Sequence, residues 1–271
     1  MKYRIFVSVA VAALWSVAAS AALIITGAPN GSSSTMRARY EPLARYLSHK
    51  TGSRVVFSNT ESLVVFGLWV KRGRPAIIFG GPQLISWASK YYGYVPVLAG
   101  RGSLAFALVA QRHHVRTLSD LQNGDVVCGL PEPNLSTEAL MVHFPNPIRQ
   151  PYILPVGSPA LALSGVMHGR CVAAAVPSRF AIAHDASFHV VTQLGRWPNQ
   201  GFAVSGRIPA ALRQRIASAL VAAARAGVLR SLGKGNGITG WYKPKPSLYV
   251  GYSSMVHGVL GYGVAAAPTA Q

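Results

Sequence analysis

Hydroxyl, amide and guanidinium groups gathered where a helix begins are the chemistry of an oxyanion site, and three short segments of this chain offer them. Asn134 stands just ahead of Ser136 and Thr137, which open an apolar helix. Free backbone N–H groups and the helix dipole favour an anion at such a point, and two hydroxyls add donors. Ser136 would serve equally well as a plain helix cap, because capping needs the same residue type at the same place. Both readings stand at this point. Ser32 and Ser33, in the loop from Asn30 to Ser34, can donate likewise, although a Ser/Gly loop is ordinarily a flexible connector. Gly81, Pro82 and Gln83 follow a short apolar strand and lead into another helix. Arg101 and Arg179 are the candidate counter-charges for an oxyanion, set against the usual fate of an arginine, which is solvation.

Other chemistries fare badly. There is no Gly-x-Ser-x-Gly elbow, no His-Glu-x-x-His and no phosphate-cradling glycine loop ending in Lys-Ser/Thr. With seven Asp and Glu in all, paired-carboxylate catalysis has few candidates. Glu132 and Glu138 flank the Asn134 segment, where acids commonly serve the helix dipole. No Cys/His spacing resembles a metal site, and His113-His114 beside Arg112 is a poor place for a cation. The sequence therefore predicts no catalytic centre, no metal and no cofactor. Cys128 and Cys171 each sit in a β-like run and read as two buried thiols, with a disulfide as the other possibility.

The elements that must position these residues follow from hydrophobic period. Leu23–Thr26, Arg54–Phe57 and Ala76–Phe79 are short buried strands, separated by helices over 39–50 and 61–72. Another helix runs from Pro82 to about Tyr92. Strands alternating with helices at this spacing predict a parallel, doubly wound sheet. The theme repeats: strands near 104–110, 125–129 and 171–176, with helices over 136–143 and 159–168. Extended runs at 189–192 and 202–205 then lead back. Pro209 opens a helix expected to reach Leu232, and a last helix is expected over 247–261. In such folds ligands bind beyond the carboxyl ends of the strands, where all three candidate loops fall.

Lys2 and Arg4 followed by an apolar run to Val17 and Ala19-Ser20-Ala21 read as a cleaved signal peptide of residues 1–21, placing the mature protein in the periplasm. The formal charge is +19 on 271 residues, and +17 without that segment. The excess comes from scarce acids, since 12% of residues are charged, and the basic residues form no run or aromatic-lined groove. A nucleic-acid partner is thus not expected. An acidic exterior fits better, because carboxylates that a fold needs ionised fail there.

The order of segments resembles the phosphate/phosphite/phosphonate-binding branch of ABC-transporter substrate-binding proteins. The markers are Tyr40-Glu41-Pro42-Leu43-Ala44-Arg45-Tyr46-Leu47, Phe79-Gly80-Gly81-Pro82, Tyr92-Gly93-Tyr94, Leu118-Ser119-Asp120-Leu121 with Gly124, Gly169-Arg170 and Ala173 to Ser178. The resemblance implies an α/β, two-lobed periplasmic-binding-protein fold, with two doubly wound sheets joined by a strand hinge. The strands after Ser103 and before Gly206 read as crossings, dividing the mature chain into lobe one, 22–102 and 203–271, and lobe two, 103–202. The resemblance also implies a monomer that closes over a small oxyanion and delivers it to an ABC permease in the inner membrane, with Gly81-Pro82-Gln83 at the cleft. The departures matter. Family aspartates at two strand starts are replaced by Ala76 and Val172, and an aromatic after Gly-Pro by Ile85. A Ser-Thr-Ser-Gly helix start is reduced to Leu135-Ser136-Thr137-Glu138. Loss of the aspartates would remove partners for an amino group and disfavour an aminophosphonate. The second reading is a ligand-poor relative used as a periplasmic sensor or interaction module for a membrane or redox partner.

Overall fold

A computed structural model describes residues 21–29, 31–111, 115–121, 124–183 and 187–263. The predicted signal segment, apart from Ala21, and His113-His114 lie outside them. The first elements are β1 (Leu23–Gly27), α1 (Ser33–Thr51), β2 (Val55–Phe57), α2 (Leu63–Lys71), β3 (Ile77–Gly80), α3 (Pro82–Tyr92) and β4 (Tyr94–Gly100). Next come β5 (Ser103–Gln111), β6 (Val126–Gly129), α4 (Leu135–Met141), β7 (Tyr152–Pro155), α5 (Pro159–Met167), β8 (Ala173–Pro177), α6 (Ser178–Ala183) and β9 (Phe188–Pro198). The chain ends with β10 (Gly201–Ser205), α7 (Ala210–Arg225), α8 (Arg230–Gly235) and β11 (Trp241–Tyr242).

Two sheets result, one for each lobe. The first has the order β11-β4-β10-β3-β1-β2 and the second β7-β6-β8-β5-β9. Both are mixed, which corrects the expectation of a purely parallel sheet. β1 is parallel to β2 and β3, whereas β10 runs antiparallel to β3 and β4. Likewise β6 is parallel to β7 and β8, while β5 is antiparallel to β8 and β9. Alternation of strand and helix reports the crossovers; it is silent about a strand that enters from the other lobe.

The central strands of each sheet are buried on both faces, which is why they read as continuous apolar runs. Ile77 and Phe79 of β3 pack under α1 and α7, and Ile78 between them faces Trp87, Tyr249 and Tyr262. In β5, Phe106, Leu108 and Ala110 join one core and Ala107 and Val109 the opposite one. Tyr262 is fixed on the first lobe: its carbonyl accepts from Trp87 Nε1 at 2.9 Å and its hydroxyl donates to the Leu63 carbonyl at 2.7 Å.

The lobes are joined by two crossings, from β4 to β5 and from β9 to β10. Asn199, 1% exposed, ties them together. Its Nδ2 donates to the Arg101 carbonyl at 3.3 Å, and its own carbonyl accepts from the Tyr249 hydroxyl at 2.8 Å. Gly100 N donates to the Gln200 carbonyl at 2.9 Å.

Several local expectations are revised. α1 begins at Ser33, six residues before the predicted start, because Ser32 accepts from Thr35 N and caps it. The predicted helix 209–232 is broken at Gly227, whose φ of +76° ends α7 before α8 starts. The tail forms two 3₁₀ turns, Pro246–Tyr249 and Tyr252–Val256, in place of a helix. Cys128 and Cys171 are joined in a disulfide, Cα to Cα 5.6 Å, and are not the two free thiols expected. The close approach of α5 depends on Gly165, since a β-carbon there would meet Cys128 Sγ at 2.5 Å.

Candidate ligand cleft

A cleft of about 470 Å³ lies between the lobes, at the carboxyl ends of β3 and β6. From the first lobe it is lined by Ala28 and Pro29 after β1, Met36, Arg39 and Tyr40 of α1, Leu63, and the β3–α3 corner through Phe79, Gly80, Gly81, Gln83 and Leu84. The second lobe contributes the start of β5, Leu130, Pro133 to Leu135, and Pro177 to Phe180. Gln200 lines it at the hinge.

The β3–α3 corner brings Gly81 and Gln83 to the cleft, with Pro82 buried beside them. Gly81 is the N-cap residue of α3 and no side chain caps this end. Pro82, at the first helical position, has no N–H, so the N–H groups of Gln83 and Leu84 are the ones this end presents. Gln83 is 3% exposed and reaches the opposite lobe, where its Nε2 donates to the Pro133 carbonyl at 2.9 Å. Its Oε1 is buried without a hydrogen-bond partner.

The Asn134 segment is also at the cleft, but its hydroxyls are turned inward. Asn134 caps α4, its Oδ1 accepting from Ser136 N at 3.1 Å and from Ser136 Oγ at 2.9 Å. Thr137 Oγ1 donates to the Leu130 carbonyl at 2.6 Å. The N–H groups of Thr137 and Glu138 both go to the Asn134 carbonyl. Ser136 and Thr137 are fully buried and do not line the cleft. α4 itself is only seven residues long. In its first turn Glu138, 6% exposed, has an unpartnered Oε1, and burial, with the nearby Glu132 charge, pushes its carboxyl up to about 8.

The remaining candidates separate. Ser32 and Ser33 are exposed at the start of α1 and outside the cleft lining; Ser33 Oγ accepts from Asn59 Nδ2 at 3.0 Å. Arg101 is at the hinge, its N–H on the Gly240 carbonyl at 2.7 Å and its guanidinium 5.4 Å from the Tyr242 ring centre. It too does not line the cleft. Arg179 does, from the start of α6, and its Nη1 lies against Gly237 of the other lobe, where a β-carbon would come within 3.0 Å. Gly237 has φ +68°, a conformation that glycine takes without cost.

The sequence reading missed Arg39 and Tyr40. With the helix starting at Ser33, Met36, Arg39 and Tyr40 share one face at i, i+3 and i+4, so the cap at Ser32 was the signal that would have found them. Tyr40 is 2% exposed, and a β-carbon at Gly27 would collide with its hydroxyl. Burial raises its phenol, so it meets the cleft uncharged. One inference from the sequence is corrected. Ala76 precedes β3 at the end away from the cleft, and neither it nor Val172 lines it. Their lost aspartates therefore say nothing of the ligand. Among the described residues no cluster of His, Cys, Asp and Glu is suited to a metal ion, and no helix is long and apolar enough to cross a membrane.

The fold is shared with solved proteins of low sequence identity. A Xanthomonas citri protein bound to ATP is 16% identical, with TM-score 0.73 over 88% of this chain and 97% of that one. PhnD1 of Prochlorococcus marinus, in complex with methylphosphonate, is 10% identical, with TM-score 0.69 over 89% and 98%. A binding-protein component of an ABC phosphonate transporter from Pseudomonas aeruginosa is 13% identical, with TM-score 0.63 over 84% and 83%. No curated protein sequence matches significantly. The sequence profile of the ABC-transporter phosphonate periplasmic substrate-binding proteins matches residues 25–249. With most of its length matched, the chain belongs to that family of extracytoplasmic transporter components, which bind a substrate and do not transform it.

Proposed function

We propose that the cleft holds a phosphonate or a closely related phosphorus oxyanion, with the anion set between Arg39, Arg179 and the uncapped start of α3. The observation that carries this reading is that guanidinium groups from opposite lobes line one cleft whose described lining contains no carboxylate. Arginine matches tetrahedral oxyanions through paired N–H donors. Gly81, Gln83 and Asn134 then act as neighbours of the bound head group. The methylphosphonate of the Prochlorococcus protein and the ATP of the Xanthomonas protein are both phosphorus oxyanions, in agreement with this assignment.

In this reading lobe one is 22–102 with 203–271 and lobe two is 103–202, supported by the membership of the two sheets. The chain works as a monomer delivering its ligand to a membrane permease. Residues 1–21 direct export and are then removed, for which the charged start, apolar run and Ala19-Ser20-Ala21 speak. An acidic periplasm accounts for the scarcity of carboxylates. Calorimetric titration with methylphosphonate and inorganic phosphate tests the site. Arg39→Gln and Arg179→Gln should each weaken binding by about tenfold or more, at roughly 1.5–3 kcal/mol per charged hydrogen-bonded contact. Unchanged affinity in both variants would remove the assignment.

A further inference from the structure

The cleft offers more apolar wall than an oxyanion head can use. Leu63 from one lobe and Leu104, Leu130 and Phe180 from the other line it and are each only half-buried. Its volume of about 470 Å³ falls in the range that encloses ligands of drug-like size. The lobes touch across that space at two points. Gln83 Nε2 bonds the Pro133 carbonyl, and Arg179 lies against Gly237. A cationic substituent has no counter-charge there. The described lining has no Asp or Glu, Glu132 is exposed, and Glu138 is buried in the first turn of α4, outside the lining.

Resting on the phosphorus-oxyanion reading above, we infer that the ligand is an organophosphonate whose carbon substituent is bulky, apolar and uncharged, an aryl group or branched alkyl chain. The head group takes the guanidiniums, and the substituent completes the burial of Leu63, Leu104, Leu130 and Phe180. Burying that surface supplies the additional affinity, and an ammonium in its place would be desolvated with only the amide oxygens of Gln83 and Gln200, and no carboxylate, to meet it.

Titration of the full exported chain with phenylphosphonate, methylphosphonate and 2-aminoethylphosphonate tests this. Phenylphosphonate should bind at least about tenfold more tightly than methylphosphonate, with 2-aminoethylphosphonate weakest. Phe180→Ala, and separately Leu63→Gln in the other lobe, should bring the phenyl-to-methyl ratio towards one. Each variant is compared at a melting temperature close to the parent's, and the pair guards against one failing to fold. Methylphosphonate binding as tightly as phenylphosphonate overturns the inference and leaves the phosphonate site standing. A ratio unmoved in both folded variants also overturns it. Binding of none of the three removes the phosphorus-oxyanion reading itself.

Discussion

Two helices begin at the same cleft, α3 from one lobe and α4 from the other, and they use their first turns in opposite ways. α4 is closed by its own sequence. Asn134 takes Ser136 N and Ser136 Oγ, Thr137 Oγ1 goes to the Leu130 carbonyl, and the next two N–H groups return to the Asn134 carbonyl. α3 has Gly81 and Pro82 where α4 has Asn134 and Leu135, so nothing caps it. The residues that look most like anion ligands in sequence are the ones whose hydrogen bonds are already made. A strong capping sequence and a ligand-binding helix start compete for the same donors, and an uncapped start at a cleft is the more informative signal.

The largest expected effect lies in the closed helix. Glu138 sits buried in the first turn of α4 with its carboxyl pushed up to about 8, mainly by desolvation. Its folded pKa is above the unfolded value. Its contribution to stability is therefore fully present below the unfolded pKa, near 4.5, and is lost as pH rises through about 8. Chemical denaturation across this window should show stability falling by up to about 1.4 kcal/mol per pH unit. Glu138→Gln should flatten the slope and raise stability at pH 8 by a few kcal/mol. At acid pH the opposite case is Asp120, whose carboxyl accepts from the N–H groups of Arg116 and Thr117 and is held below its usual range. Its contribution is lost only as pH falls through that lowered value. The ion pairs of Glu41 with Arg37 and Arg45 are exposed and matter little. Melting in moderate salt should therefore rise, and not decline, from pH 7 to about pH 4. Unfolding there would reject the proposal that this protein serves an acidic exterior.

The next effect belongs to the open helix. Gln83→Glu puts a carboxylate at the uncapped start and removes the donor to the Pro133 carbonyl. Methylphosphonate affinity should fall about 100-fold, since like charge at a binding surface costs several kcal/mol. Gln83→Leu also loses the bridge to Pro133 but adds no charge. A smaller loss in that variant would separate repulsion from weakened closure. Equal losses in the two would show that the bridge, and not the charge at α3, controls binding.

Much of this arrangement was legible in the residues. The apolar runs of β1 and β3 and the glycines and prolines that end them located the strands and the β3–α3 corner. What failed did so for identifiable reasons. β7 and β11 are edge strands of four and two residues, exposed or half-buried, and their apolar runs are too short to stand out as elements. The Cys128–Cys171 bond joins residues 43 apart, brought together where β6 and β8 lie side by side, which no local pattern reveals. Arg39 was hidden by placing the start of α1 six residues late, and Arg101 was favoured by type although the hinge backbone turns it elsewhere. Residue type predicts what a side chain can do; the register of a helix start decides whether it faces the cleft.

The smallest effect, and the sharpest test of the comparison, is the loss of the two hydroxyls of α4. Were Ser136 and Thr137 to donate to the ligand, replacing both by Ala would cost about 2–4 kcal/mol of affinity, at roughly 1.5–3 kcal/mol for each bond to a charged group less the coupling between them. The geometry assigns their donors to Asn134 Oδ1 and the Leu130 carbonyl, so the cost should appear in folding. Losing two buried neutral hydrogen bonds should lower stability by about 1–3 kcal/mol, and methylphosphonate affinity should change less than about threefold. Asn134→Ala, which removes the cap and keeps both hydroxyls, should lower stability by about 1 kcal/mol. Melting and calorimetry on the same variants distinguish the outcomes. A double variant that melts like the parent but binds a hundredfold more weakly would make α4 the anion-binding helix after all, and the contrast with α3 would fail.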